Sequence, residues 1–235
     1  MPSLTINSAG ATERLEFAPA ARIQESLVAP AEKRTLIWLA QRTPAWINSD
    51  HLTLLGFVSQ CLAGACYAMA RFNPAALLAG VVCLALNWLG DSLDGTLARV
   101  RNRQRPRYGF YVDHITDSIA ALLLMGGLAL SGYVHPGIAL GMLVAFLMLS
   151  IEAYLATYTL GRFRLSYGKF GPTEIRILLA IGNLALLRHP VIKVLGRLLL
   201  LFDIGGVIAI AGMSVMLVTS AVKHTAQLYK EERLS

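Results

Sequence analysis

Cysteine is scarce in this chain. The three that occur, Cys61, Cys66 and Cys83, all fall inside apolar segments, with neither CxxC spacing nor histidine partners. That pattern excludes a disulfide framework or a zinc site and leaves small core residues. Charge is scarce too: 15% of residues are charged against 55% hydrophobic, and the mean hydropathy is +0.56. An ordinary soluble domain is excluded by these values, and a membrane protein is expected. Acids are outnumbered, 14 to 21, for a formal net charge of +7. The basic residues gather in short segments between apolar runs, as cytoplasmic loops facing anionic lipid do, so no nucleic-acid partner is expected. A secretory signal is missing as well: MPSLTINSAGATERLEF has neither a basic start nor an apolar stretch. The N-terminal residues are therefore expected in the cytoplasm, with insertion left to internal spans. Internal repeats and low-complexity tracts are also lacking.

What is present divides into two parts. Residues 1–45 mix acids and bases, and RIQESLVAPAEKRTLIWLAQRTPAWI places apolar positions at near-helical spacing beside Lys33, Arg34 and Arg42. This predicts an interfacial amphipathic segment with Trp38 and Trp46 at headgroup depth, preceded over residues 1–20 by either more of the same or a disordered tail. Residues 46–235 hold six apolar runs, at 52–70, 75–97, 111–132, 136–160, 173–188 and 199–222. Most are near the ~20 residues that span a bilayer, so the predicted class is all-α integral membrane with six transmembrane helices. Arg99, Arg101, Arg103, Arg105 and Arg107 follow the second run, and Arg162, Arg164 and Lys169 follow the fourth. The positive-inside rule puts both loops in the cytoplasm. Arg188, Lys193 and Arg197 are the exception, predicted outside or flat at the interface. Glu174 and Arg176 open the short fifth run, whose lower end is expected to face a wet cavity.

Carboxylates are costly beside lipid. Yet GDSLDGTLARVRNRQRPRYGFYVDHITD places Asp91, Asp94, Asp113 and Asp117 at the facing ends of the second and third runs. On helices, spacings of three and four put each pair on one face, and a short hairpin brings the two faces together. Carboxylates at that density repel one another unless cations sit among them. Hard oxygen ligands favour Mg²⁺, Mn²⁺ or Ca²⁺ over zinc, and a pair of such ions clamps a phosphoryl group during displacement. The expected substrate therefore carries phosphate. Gly95 and Ala98 let a bulky group approach the helix, Gly109 lets the third helix start close to the second, and Arg99 can fork onto a phosphate. The other loop arginines read as topology charges.

The array Asp91-x-x-Asp94-Gly95-x-x-Ala98-Arg99, nine residues, then Gly109-x-x-x-Asp113-x-x-x-Asp117 resembles the signature of the CDP-alcohol phosphotransferases (CDP-alcohol phosphatidyltransferases). PAWINSDHLTLLG, residues 44–56, is similar to that family's entry into its first span. The resemblance implies a homodimer of six-helix protomers with a polar cavity facing the cytosol. It also implies that Asp91, Asp94, Asp113 and Asp117 hold two Mg²⁺ or Mn²⁺ ions and that Asp117 is the general base. Gly95, Ala98 and Arg99 would contact the CDP moiety, and Asp50, His51, Leu52 and Thr53 would lie beside the nucleotide. An acceptor alcohol would attack the β-phosphorus of a CDP-activated substrate and release CMP, within phospholipid synthesis.

Two acceptor readings stay open. His114, within DHxxD, and Glu174, within GPTE, resemble elements of the choline and ethanolamine phosphotransferase branch, where they would join catalysis beside a lipid alcohol. Otherwise His114 is an ordinary interfacial residue and Gly-Pro merely opens a helix. Arg162, Arg164, Lys169 and Arg176 suit a CDP-linked lipid with an anionic soluble acceptor instead. Membrane prenyltransferases also use aspartate-bound Mg²⁺, but the place four after Asp94 is Ala98. A small cation or proton transporter would explain intramembrane acids, but not Gly95, Ala98, Arg99 and Gly109 at those offsets.

Overall fold

The computed structural model describes residues 21–23, 29–164, 172–194 and 196–233. The interfacial or disordered reading of residues 1–20, Lys169, and the Gly171 of GPTE lie outside the described residues. Seven helices occur among those described. The first, α1 (Ala29–Arg42), turns Leu36 and Ala40 inward at a spacing of four, while Lys33, Arg34, Trp38 and Arg42 stay exposed. Its outer face carries a cation-π pair, with the Arg42 guanidinium 4.2 Å from the Trp38 ring.

The hairpin α2 (Ser49–Ala70) and α3 (Ala76–Val100) packs with α4 (Pro106–Leu130), which leads to α5 (Pro136–Leu160). After α6 (Pro172–Leu186) comes α7 (Leu201–Glu231), which packs along α5. Sequence-local signals set the helix ends. Asn48 and His51 form a reciprocal capping box at the start of α2. Proline occupies the first position of α4 and of α5, and Gly161 closes α5 at φ +65°.

Among the described residues, five helices, α2, α3, α4, α5 and α7, are long and apolar enough to cross a membrane. Their outward faces expose large aliphatic side chains, among them Leu54 and Leu62 on α2 and Val207 and Val215 on α7. Lipid is the solvent that such faces need, and the protein is integral and multi-pass. The expected fifth run of six is α6, whose 15 residues reach about 22 Å against a hydrocarbon core of roughly 30 Å. Among the described residues, then, five of the six expected runs form helices that meet the length of a crossing. Lys193 and Arg197, the charges that broke the topology rule, sit on an antiparallel pair, β3 (Val191–Val194) and β4 (Arg197–Leu200). Its turn contains Gly196 at φ +84°. A second small sheet pairs β1 (Ala21–Ile23) in parallel with β2 (Arg162–Arg164).

Glycine decides how close α2 comes to its neighbours. A Cβ on Gly90 of α3 would lie 2.5 Å from the Gly56 nitrogen, and one on Gly127 of α4 would lie 1.9 Å from the Gly64 oxygen. These backbone-to-backbone crossings are the small-residue packing of membrane helices. Gly109, expected to provide the close start of α4, has nothing within 4 Å of a built Cβ. The close approach of α4 is instead to α2, at Gly127 about five turns further on, because there the facing residue is also glycine. One core, with Tyr67, Leu84, Leu124 and Leu186, fills the half of the bundle away from the aspartates. A smaller one joins Leu36 and Ala40 of α1 to Leu52, Leu93 and Leu97.

Candidate active site

The acids meet because α3 and α4 both pack on α2, and not because those two helices close on each other as a hairpin. One carboxylate oxygen from each of Asp91, Asp113 and Asp117 falls within 4.8 Å of the others, with no side chain fully exposed. The oxygens bound to one octahedral Mg²⁺ lie up to about 4 Å apart, so the three need only a small inward shift to share an ion. Oxygen-only donors suit a hard divalent cation. Asp94 sits apart from that trio: its Oδ2 accepts from Thr53 Oγ1 at 2.6 Å, and its Oδ1 takes the Gly95 amide. All four aspartates line one small cavity with Thr53, Gly56, Gln60, Asn87 and Thr116, with room for about one water-sized sphere, ≈ 10 Å³.

Helix α6 supplies the cation. Arg176 donates from Nη2 to Asp91 Oδ2 at 2.6 Å and from Nε to Asn87 Oδ1 at 2.7 Å. Asn87 in turn donates to the Gly56 carbonyl at 3.0 Å, tying the guanidinium site to the α2 crossing. A charge-assisted pair screened from water is strong, and it leaves one positive group beside the acids.

The other residues singled out from the sequence divide. Thr53 lines the cavity, and its neighbour Ser49 donates to the Asp94 carbonyl at 2.9 Å. Asp50 pairs with Arg105 at the surface, His51 caps α2, and Leu52 is buried in the smaller core. Those three do not line the cavity. Gly95 has only the Arg99 side chain near a built Cβ, at 3.4 Å, so the surface there is open. Ala98, half-buried, follows on the next turn, and Arg99 donates to Thr96 Oγ1 at 3.0 Å.

His114 faces α5 and is not part of the cavity wall. Its ring stacks 4.1 Å from Phe110 and 4.8 Å from Tyr154 of α5, and its Nδ1 lies 3.4 Å from Asp113 Oδ2. Glu174 is buried at 8% exposure but is not part of the cavity wall. Among the residues first read as topology charges, Arg101 instead donates to the carbonyls of Thr43, Pro44 and Ile47, and Arg105 holds Asp50. Both pin the entry to α2. Sequence reasoning missed Asn87, whose signal was its place one turn before Asp91 on the same face, and it missed Glu32 of α1, which carried none.

Comparison with known proteins bears on this geometry. The description CDP-alcohol phosphatidyltransferase matches residues 46–221. Cholinephosphotransferase 1 of Gallus gallus is 28% identical over 148 residues, 60% of this chain and 43% of that protein. Archaetidylinositol phosphate synthase of Methanothermobacter thermautotrophicus is 28% identical over 145 residues, 61% of this chain and 70% of that one. The chain thus spans under half of the first relative and about 70% of the second. The match from 46 to 221 takes in the α3–α4 carboxylates, Thr53 and Arg176 together, and the chain belongs to the CDP-alcohol phosphatidyltransferase family of transferases.

Proposed function

We propose that the protein moves a substituted phosphate from a CDP-linked donor to an alcohol and releases CMP, in a divalent-metal-dependent step of phospholipid synthesis. The convergence of the Asp91, Asp113 and Asp117 carboxylates within the family-matched residues carries this reading. Asp91, Asp94, Asp113 and Asp117 would hold two ions, Mg²⁺ or Mn²⁺. Such ions, when bound, neutralise the pyrophosphate and the departing CMP.

Asp117 takes the proton of the acceptor hydroxyl as its oxygen bonds to the β-phosphorus and the bond to CMP breaks. The cavity walls orient the reactants, and the weak nucleophile needs position more than covalent help. Gly95, Ala98 and Arg99 would receive the CDP moiety on the open flank of α3. Thr53 keeps Asp94 in place.

Arg176 favours a CDP-linked lipid with an anionic soluble acceptor, because its guanidinium is already at the carboxylates where an acceptor phosphate would arrive. CDP-choline or CDP-ethanolamine with a lipid alcohol remains the second reading, supported by the name of one relative. The architecture proposed is a domain of six crossings over residues 46–235, with α6 as the short fifth. The α1 helix lies at the interface, the site faces the cytoplasm, and two copies form a homodimer.

The test is CMP release by purified protein in detergent with Mg²⁺ or Mn²⁺. CDP-diacylglycerol with a panel of soluble alcohols is set against CDP-choline and CDP-ethanolamine with diacylglycerol. Release with the CDP-lipid and a phosphorylated alcohol is the expected result. Metal-independent turnover, or the absence of CMP from every donor, refutes the reading.

A further inference from the structure

Glu32 belongs to the first turn of α1, ahead of the residues that match the family. Its Oε1 accepts three hydrogen bonds: from Trp88 Nε1 at 2.8 Å and Ser92 Oγ at 3.2 Å, both on α3, and from Thr173 Oγ1 at 2.7 Å on α6. A carboxylate gathering donors from two other helices is more than a surface charge. Each bond to an ionised acceptor is about twice as strong as a neutral one.

The donors are placed with respect to the site. Trp88 and Ser92 share the face of α3 turned to α1, and each directly follows a residue that holds Arg176, namely Asn87 and Asp91. Thr173 lies one turn before Arg176 on α6. The start of α6 is thus joined to α3 twice, once through Glu32 and once through Arg176.

We infer that Glu32 is a positioning residue: its carboxylate bridges Trp88 and Ser92 to Thr173 and so holds Arg176 on Asp91 and Asn87. This rests on the transferase reading for its effect on rate, but not for the bridge itself. An α1 helix that merely anchored the bundle would need only Leu36 and Ala40 in the smaller core. A carboxylate reaching α6 makes α1 part of the geometry around the reacting groups.

The full chain in detergent is compared as wild type, Glu32→Ala, Arg176→Gln and the double variant. CMP release at subsaturating acceptor should fall about tenfold for Glu32→Ala in the wild-type background, but less than about twofold in the Arg176→Gln background. Glu32→Gln should stay within about threefold of wild type, because its amide oxygen accepts from the same neutral donors. Equal losses in both backgrounds overturn the inference. The same four proteins are melted, and the Glu32→Ala and Arg176→Gln losses should be less than additive. Additive losses overturn the bridge whether or not CMP is released, whereas a silent wild type refutes only the transferase reading. If Glu32→Ala does not fold, Thr173→Val removes one donor and should show the same coupling at smaller size.

Discussion

Gly90→Ala isolates the helix crossing from the chemistry. The added Cβ would meet the Gly56 nitrogen at 2.5 Å, the Leu52 oxygen at 2.6 Å and the Gly56 Cα at 2.7 Å. All are backbone atoms that no rotamer change can move, so α2 and α3 have to part by about 1 Å to restore ordinary contact. Overpacking of this kind costs about 1–3 kcal/mol. The same displacement stretches the Thr53–Asp94 contact of 2.6 Å and the Ser49–Asp94 contact of 2.9 Å. Misplacing reacting groups by about 1 Å costs on the order of 100-fold in rate. The control is Gly80→Ala on the same helix, where the nearest atom to the new Cβ is Asn183 Nδ2 at 3.6 Å. Both substitutions gain the same helix propensity, about 1 kcal/mol, so the contrast reports the crossing alone. CMP release and a thermal melt in detergent give the two readouts. Gly90→Ala should lose both activity and melting temperature while Gly80→Ala keeps both; a Gly90→Ala protein as active as Gly80→Ala would refute the argument that this crossing sets the site.

Asp117→Asn should abolish turnover while CDP-donor binding, measured by calorimetry or ligand-induced melting shift, is largely kept; normal turnover removes it as the base. Asp91→Asn takes one oxygen from the trio and should weaken Mn²⁺ binding, read by electron paramagnetic resonance without substrate, by about tenfold or more. An unchanged Mn²⁺ titration rejects Asp91 as a ligand. Arg176→Gln should raise KM for a phosphorylated acceptor by about tenfold or more while KM for the CDP donor moves little. A donor-specific effect instead would assign the guanidinium to the nucleotide side.

Much of the fold was legible because lipid imposes a simple rule: apolar runs become helices. The runs at 52–70 and 136–160 became Ser49–Ala70 and Pro136–Leu160, with ends moved by caps and prolines that are themselves local signals. The last run lengthened to Leu201–Glu231 because its polar end continues the helix beyond the apolar stretch. The run at 173–188 had the composition of a span but not the length, since α6 stops at Leu186 just ahead of Pro190 and the β3–β4 pair. Spacings of three and four made each pair of aspartates legible as one helix face, but the meeting of the two faces depends on α2, against which both α3 and α4 pack.

Residues distant in sequence were another matter. Asn87 and Arg176 meet although 89 positions separate them, and Glu32 and Thr173 although 141 do. Periodicity carries no information about such pairs, because each depends on how helices rotate and approach. By itself, the sequence determined the apolar helices, their order and the carboxylates at the ends of α3 and α4. Only the tertiary structure decided that Asp94 turns to Thr53, that His114 stacks on Phe110 and Tyr154, and that Arg176 reaches Asp91. The physical reason lies in the glycine crossings at Gly56–Gly90 and Gly64–Gly127, where contacts between backbones fix the distance and rotation of helices that hydrophobicity alone leaves free.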